Sequence, residues 1–596
     1  MSLFKIPSPK PKLSRNGFDL SSRRIFSAKA GQLLPVGCWE CNPSEHFQIS
    51  VQDIVRTTNL NTAAFARMKE YYHFFFVSYK SLWQWFDQFI VGTSNPVSAL
   101  NGIKKDHTVD YNYVCSSTPM FDLNTFVTHL KSDAMKNTFD SQAFPFKDGA
   151  FKLLNLLNYG VTEKGKFYDY KSYFSNSNNL GSTFLTDAAH KGNVMVSPFR
   201  LLAYQKIFND FYRNQDWTPA DVRSFNIDDY ADDSNSIIDK SVVQSFCQMR
   251  YRPYPKDWLT SMKPTPNYDK GIFNLPDYVN GSSRFKPERN PGSVGVSTVA
   301  PNTGSNMSFS VNDLRAAFAL DKMLEATRRA NGLDYSSQIE AHFGFKVPES
   351  RDSDARFLGG FDNSIPISEV VATADTNNSN GKQLGDLAGK GLGSLNSGKI
   401  SFDVKEHGII MCIYSAAPQV EYNASYLDPF NKKFKREDFY QPEFADLGYQ
   451  PVLSSDLLLT AVDPTKTPTV LDHKGSNIAP TAANELNNLL LGWQTRYNEY
   501  KTARDVVFGD FETSGSLRYW TTPRFDLRFD RYVSKKSDIP AGGYASGLSS
   551  AQFYVNPNIV NPIFLVTAVA GDHFYINSFF DVKAVRPMSV HGLASL

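Results

Sequence analysis

Residues 573–585 read HFYINSFFDVKAV. Phe574, Ile576, Phe580 and Val582 fall on one side of a period-2 strand, and Asn577, Asp581 and Lys583 fall on the other. A strand with one apolar and one polar face belongs to an antiparallel sheet that lies against a core and meets water on its far side. Gly571-Asp572 then offers a turn back to an apolar partner over Ile563–Ala568. At the opposite end of the chain, Leu33–Glu40 and Phe47–Val51 also read as strands. Residues 71–79, YYHFFFVSY, are apolar in both phases, which predicts a strand covered on both faces or lodged in an interface. Strands from both chain ends predict a mainly β framework with long insertions.

Helical signals lie between them. Leu82, Trp85, Phe86 and Phe89 follow i, i+3, i+4, i+7 spacing. Ser197 as N-cap and Pro198 at the first helical position open a helix that places Leu201, Tyr204, Phe208 and Phe211 on one face. A third helix is expected near Ser310, with Asp313 in a capping-box-like position, Leu314, Ala317, Phe318 and Leu324 along it, and a stop at Gly332. Gly/Asn/Ser-rich stretches near 285–308 and 374–400 read as surface loops. No linker or internal repeat divides the 596 residues, so their length is assigned to insertions.

Aromatic residues make up 14% of the chain and charged residues 20%, which excludes disorder. Such an aromatic supply fills cores and also suits protein–protein interfaces. Five cysteines exclude a disulfide scaffold. No run reaches the roughly 18 apolar residues of a membrane span, and the N-terminus, broken by Lys5, Pro7, Pro9 and Lys10, does not read as a secretory signal. Synthesis in a reducing cytosol is the expectation.

Charge is unevenly placed. Residues 1–30 hold Lys5, Lys10, Lys12, Arg15, Arg23, Arg24 and Lys29 against the single acid Asp19, which is +6, leaving −4 for the rest of a chain of net charge +2. This basic N-terminal arm is the candidate for nucleic-acid or inter-subunit contact. The first would work by counterion release at phosphates without base readout; the bland alternative is a solvated terminus.

Catalytic motifs fail on their details. Cys38-Trp39-Glu40-Cys41 sits in an expected strand rather than opening a helix, and Cys115, Cys247 and Cys412 supply no second zinc pair. Gly393 and Gly398-Lys399 approach a phosphate loop, but Ile400 replaces the required hydroxyl and a strand follows. His407 reads as a core or turn histidine, and the acidic group Asp228, Asp229, Asp232 and Asp233 as a solvated loop lacking an EF-hand's glycine and glutamate. Lys432, Lys433, Lys435 and Arg436 read as a solvated face. No cofactor, metal or catalytic group is called for, and the chain reads as a non-enzyme.

Several segments together are similar to one family. Phe18-Asp19-Leu20-Ser21, Ala28–Pro35, Asn61–Phe65, Tyr71–Val77, Leu82–Ile90, Pro198-Phe199-Arg200, Phe211–Gln215, Asn312–Arg315, His342-Phe343-Gly344, Leu384–Gly389, Glu406-His407-Gly408, Pro442-Glu443-Phe444 and Phe579–Pro587 resemble, in order, microvirus major capsid proteins of the gokushovirus-like type. The resemblance covers almost the whole chain and is weakest over 92–195, 216–240, 271–308 and 455–490.

It implies an eight-stranded antiparallel jelly roll, residues 31–596, discontinuous and carrying insertions: helices and loops over about 80–240, a candidate symmetry-axis protrusion at 271–308, a helical insertion at 309–345, and surface loops at 374–400 and 455–490. Copies would assemble into a T=1 icosahedral shell around a circular single-stranded DNA genome in the host bacterial cytoplasm. Partners implied are a small basic DNA-packaging protein, pilot or minor virion proteins and a host-surface receptor, with no membrane insertion. A secreted or cell-surface carbohydrate-binding β-sandwich is the alternative from another class; it would expose its rings as a sugar platform and need an export signal.

Overall fold

The computed structural model describes residues 15–60, 65–91, 118–131, 146–168, 185–186, 193–227, 237–264, 322–323, 326–327, 335–344, 354–371, 387–445, 448–459, 470–471, 477–478, 487, 490–524, 548, 550–564 and 571–590. Eleven strands form two antiparallel sheets. In chain order they are β1 (Asn16–Asp19), β2 (Ser22–Ala28), β3 (Leu34–Cys41), β4 (His46–Thr57), β5 (Met68–Ser78), β6 (Arg356–Ile365), β7 (Ile367–Val371), β8 (Leu387–Asn396), β9 (Ile400–Asp403), β10 (Gly408–Pro418) and β11 (Phe574–Arg586). The first sheet runs β1/β2–β11–β4–β8–β7, with β9 also on β4. The second runs β6–β5–β10–β3. β1 and β2 both pair with β11, so they act as one edge strand broken at Leu20-Ser21. β8 and β9 share β4 in the same way.

The sheets face each other across the largest core. Trp39 of β3 meets Phe580 of β11 edge-on with ring centres 5.6 Å apart, and Phe26 of β2 meets Tyr414 of β10 at 5.1 Å. Each fully buried aromatic of this kind contributes about 1.5–3 kcal/mol relative to an exposed one. β11 has the alternation read from its sequence: Phe574, Ile576, Phe580 and Val582 are buried, and Tyr575, Phe579 and Lys583 are exposed.

In the second sheet only the edge strand β6 alternates with exposed residues; the central strands are covered on both faces. Every residue of β10 is buried, and Phe74, Phe75, Phe76 and Val77 of β5 are buried in succession. Its outer side is covered by the insertion, where helix Phe199–Ile207 packs on β5 and β10. Tyr204 of that helix donates to the Leu33 carbonyl at 2.9 Å and accepts from the Arg250 amide at 2.9 Å. The doubly apolar run at 71–79 is therefore buried by this chain's own helices.

The expected helix over 82–90 is two short ones, α1 (Tyr79–Leu82) and α2 (Phe86–Val91), because Trp83 is extended; Leu82, Trp83, Trp85 and Phe86 are all buried regardless. The helix expected to begin at Pro198 begins at Phe199, with Pro198 at the cap position. It ends in a π turn over Phe208–Tyr212, closed by Arg213 N–H to the Phe208 carbonyl at 2.8 Å. The extra residue rotates Phe211 out of the expected face to 43% exposure, where it lies against Phe75.

The partner expected for β11 at Ile563–Ala568 is not a neighbouring strand in its described part. Ile563 and Phe564 close a turn, and Phe564 bridges Leu60. β4 and the β1/β2 edge already occupy both sides of β11.

The stretch 374–400, expected as a surface loop, contains β8. Glycine is what seats this strand. The Gly391 amide donates to Thr57 Oγ1 at 2.7 Å, and a Cβ there would lie 2.6 Å from Thr57 Cγ2. Turn-like composition thus marks close backbone approach.

The arm expected over residues 1–30 is part of the sheet from Asn16 onward. Its alternation in β2 is masked in the sequence because Arg23 and Arg24 are adjacent.

A separate smaller core, including Trp217, Trp258, Tyr422, Leu491 and Phe553, joins the insertion to residues 421–524. Within 455–490, Leu457 is buried and Val470–Leu471 pairs with Asn477–Ile478. Within 309–345 a helix spans Tyr335–Phe343. The proposed protrusion at 271–308, the helix start at Ser310 and the acidic group at 228–233 lie outside the described residues.

Candidate functional site

The outer face of the first sheet carries exposed side chains, and its register can be read as rows across strands β2, β11, β4 and β8. One row runs Ser27, Tyr575, Arg56, Leu392; the next Ile25, Asn577, Ile54, Ser394; the third Arg23, Phe579, Gln52, Asn396. Ile25 is 73% exposed, and Ile54, Leu392, Tyr575 and Phe579 are also exposed. Arg23 Nε donates to Asn577 Oδ1 at 2.7 Å. Further along β11 the face changes character. Lys583 pairs with Asp19 at 2.7 Å and Asp581 at 3.3 Å, and His46 with Asp403 at 2.7 Å. The hydrogen bond from Lys583 holds the Asp19 carboxyl far below the usual carboxylate range.

The predicted basic residues do not form one group. Lys5, Lys10 and Lys12 lie outside the described residues. Arg15 donates to Ser44 Oγ; Arg23 is on the outer face; Arg24 is half-buried in the inward phase of β2; Lys29 lies just past β2, half-buried. Sequence reading missed Arg56, Tyr575 and Phe579. The available signal was that two rings occupy the polar phase of an otherwise well-alternating strand.

It also missed a carboxyl pair sealed between the sheets. Asp53 sits in the buried phase of β4, between Val51 and Val55, and Glu70 in β5 is fully buried. Asp53 accepts from Tyr72 Oη at 2.7 Å and the Leu395 amide at 3.0 Å. Glu70 accepts from Asn363 Nδ2 at 3.0 Å and Tyr414 Oη at 3.4 Å. Burial, then the neighbouring Asp53 charge, pushes Glu70 up to about 8, and burial also raises Asp53. Two adjacent carboxyls away from water share a proton rather than both ionise.

The run at 432–436 is only partly the solvated face expected. Lys435 and Arg436 are exposed, whereas the Lys433 side chain is 6% exposed. Lys433 donates to Tyr500 Oη at 2.7 Å and pairs with Glu499, while Lys432 pairs with Asp456. A cation over the Tyr500 ring, 4.1 Å from its centre, is stabilised there once desolvated. Lys432, Lys433, Asp456 and Glu499, with Trp258, Arg496 and Tyr497, line a cleft of about 240 Å³ in which the two lysines are paired with the two carboxylates.

The thiols are poorly placed for chemistry. Burial pushes Cys38 up to about 12 and raises Cys41, Cys247 and Cys412, the reverse of what a reactive thiolate needs. His407 lies at a turn, its carbonyl accepting from the Tyr79 amide and its ring edge-on to Phe86. Gly393 and Gly398 lie in and just after β8, not before a helix. Among the described residues, no group of three or more His, Cys, Asp or Glu could hold a metal ion, and no helix is long and apolar enough to cross a membrane.

A family model described as capsid protein (F protein) matches residues 7–149 and 176–596. The chain belongs to the microvirus F-type capsid protein family. Similar proteins span the same length. The capsid protein VP1 of Chlamydia phage 1 is 22% identical, with 99% of this chain and 96% of that protein covered. The capsid protein VP1 of Bdellovibrio phage phiMH2K is 20% identical, with 98% and 96% covered. As a capsid protein, the chain is a structural component of a phage, and its mainly β framework suits that role. The working surfaces of a capsid protein are its exposed faces, so the outer face of the first sheet carries more functional weight than the cleft at Lys433, where both lysines are held in ion pairs.

Proposed function

We propose that this capsid protein is the shell-forming subunit of a T=1 icosahedral virion, assembled in the host bacterial cytoplasm around circular single-stranded DNA, with an eight-stranded jelly roll as its framework. The strand order carries the reading. Taking β1 with β2 and β8 with β9 as single broken strands, and β6 running through Ile365 into β7, leaves eight strand positions. The chain moves between sheets from β2 to β3, β3 to β4, β4 to β5, β6 to β7, β9 to β10 and β10 to β11, the winding of a double Greek key. Every strand comes from one of a few short segments, while 79–355 loops out between adjacent β5 and β6. Such a framework tolerates large insertions because they leave its pairing untouched.

Assembly needs apolar surface that one copy leaves open. Phe434, Phe343, Phe508 and Phe65 are 64–85% exposed, more than isolated surface apolars require, and suit contacts between identical copies in closed symmetry. The small basic packaging protein, the pilot or minor proteins and a receptor belong to the same proposal. Electron microscopy and light scattering of the purified full chain test it. Shells or defined oligomers are expected; a monomer persisting at high concentration refutes the reading.

A further inference from the structure

We propose that the outer face of the first sheet, at the end carrying Arg23, Arg56, Tyr575 and Phe579, is a single-stranded DNA contact surface: bases stack on the two rings while the two guanidinium groups hold phosphates. The proposal rests on the capsid reading for the identity of the strand, and on the sheet's own chemistry for the site.

Three observations on the face converge. First, Tyr575 and Phe579 stand on the same side of β11, four residues apart, which at about 3.3 Å per residue separates them by roughly 13 Å. That spacing accepts two bases splayed from one strand, and sheet-borne rings stack unpaired bases without regard to sequence. Second, Arg56 lies beside Tyr575 and Arg23 beside Phe579 in register. Among the described residues Arg56 makes no ion pair, and Arg23 bonds to the neutral Asn577. In the three rows that hold them, Ser27–Leu392, Ile25–Ser394 and Arg23–Asn396, no described side chain is a carboxylate. Of the acids on or beside this face, Asp19, Asp581 and Asp403 lie at the other end and are paired there with Lys583 and His46, and Asp572, just before β11, accepts from Ser27 and is paired with Lys152. Third, the remaining groups in these rows are amides, hydroxyls and apolar side chains: Asn577, Gln52, Asn396, Ser27, Ser394, Ile25, Ile54 and Leu392. They can meet base edges and sugars without charge.

Charge decides against a second copy of this chain as occupant. Closing this face against protein would desolvate two cations that have no carboxylate partner among the described residues, a costly burial unless the other surface supplies both. A phosphate backbone supplies the anions, and its bases supply the stacking partners.

The test uses the full chain and fluorescence anisotropy with a labelled 20-nucleotide oligodeoxythymidine and an abasic strand of equal length. Phe579→Ala and Tyr575→Ala should each weaken thymidine-strand binding roughly 5- to 100-fold and leave the abasic strand unchanged, since stacking is what they remove. Arg23→Gln with Arg56→Gln should flatten the salt dependence on both strands by about 0.7 in log–log slope per arginine. Phe579→Trp should retain the affinity that Phe579→Ala loses, which separates stacking from misfolding, and Val585→Ala on the acidic half should bind like the wild type. Equal binding by the wild type and the Ala variants overturns the proposal. So does equal loss on both strands, or loss of assembly with DNA affinity intact, which would make the face a contact between copies. Shell formation by the wild type is scored separately: its failure sinks the capsid-assembly reading, whereas shells with unaffected DNA binding in every variant sink this proposal alone.

Discussion

Replacing Glu70 by Gln separates the titration of the buried carboxyl pair from its packing. Glu70 is fully buried in β5, its carboxyl pushed up to about 8 from an ordinary 4.5 by burial and by Asp53. A carboxyl whose pKa is raised by folding contributes stability that is fully present below the unfolded value and is lost as pH rises through the folded one. The window therefore runs from about pH 4.5 to about pH 8. A shift of this size, at about 1.4 kcal/mol per pKa unit, amounts to on the order of 3–5 kcal/mol across the window. Gln keeps the acceptor for Asn363 and presents an N–H toward Asp53, as the protonated acid does, but cannot ionise. His73 and His573 act in the opposite direction. Burial lowers both to about 4, so they cost stability as pH falls from 6.5 toward 4, in wild type and variant alike. Urea midpoints of the full-length subunit, followed by tryptophan fluorescence from pH 4.5 to 9, should show the wild type losing stability toward alkaline pH. Glu70→Gln should be flatter and the more stable of the two at pH 9. Parallel pH profiles for the two proteins would refute the shared-proton account.

Two further outcomes follow from the packing. Gly391→Val places a side chain where a Cβ already lies 2.6 Å from Thr57 Cγ2, and should cost about 1–3 kcal/mol in the urea midpoint; an unchanged midpoint would mean β8 does not seat against Thr57 as described. Deleting residues 2–30 removes β1 and β2 and uncovers one whole edge of β11, so thermal stability should collapse, whereas deleting 2–14 should spare it while weakening salt-sensitive DNA retention. Equal melting temperatures for the two truncations would show that the β1/β2 edge contributes nothing.

The main strands are legible in the chain because β11 and β4 alternate over most of their length and β5 is apolar in both phases, while the capsid resemblance is carried by separate matched segments. Those patterns reflect what each strand touches on its two faces. Gly-rich β8 is illegible because Gly391 seats against Thr57, more than 300 residues away, and against Ile365 of β6. The helix ends misread at Trp83 and Phe211 depend likewise on tertiary neighbours: an extended tryptophan buried against the insertion, and a π turn that moves one ring by a residue.

Of the candidate site, the sequence by itself determined which residues are basic, which strands are amphipathic, and that no motif assembles a catalytic centre. It could not decide which cations share a surface. Arg23 and Arg56, 33 positions apart, stand on neighbouring sides of β11 only because β2 and β4 flank that strand. Asp53 and Glu70 form a pair only because two sheets close over them. Both outcomes follow from strand register, which slips every side chain to the other face when it moves by one residue, and register is fixed by the packed whole.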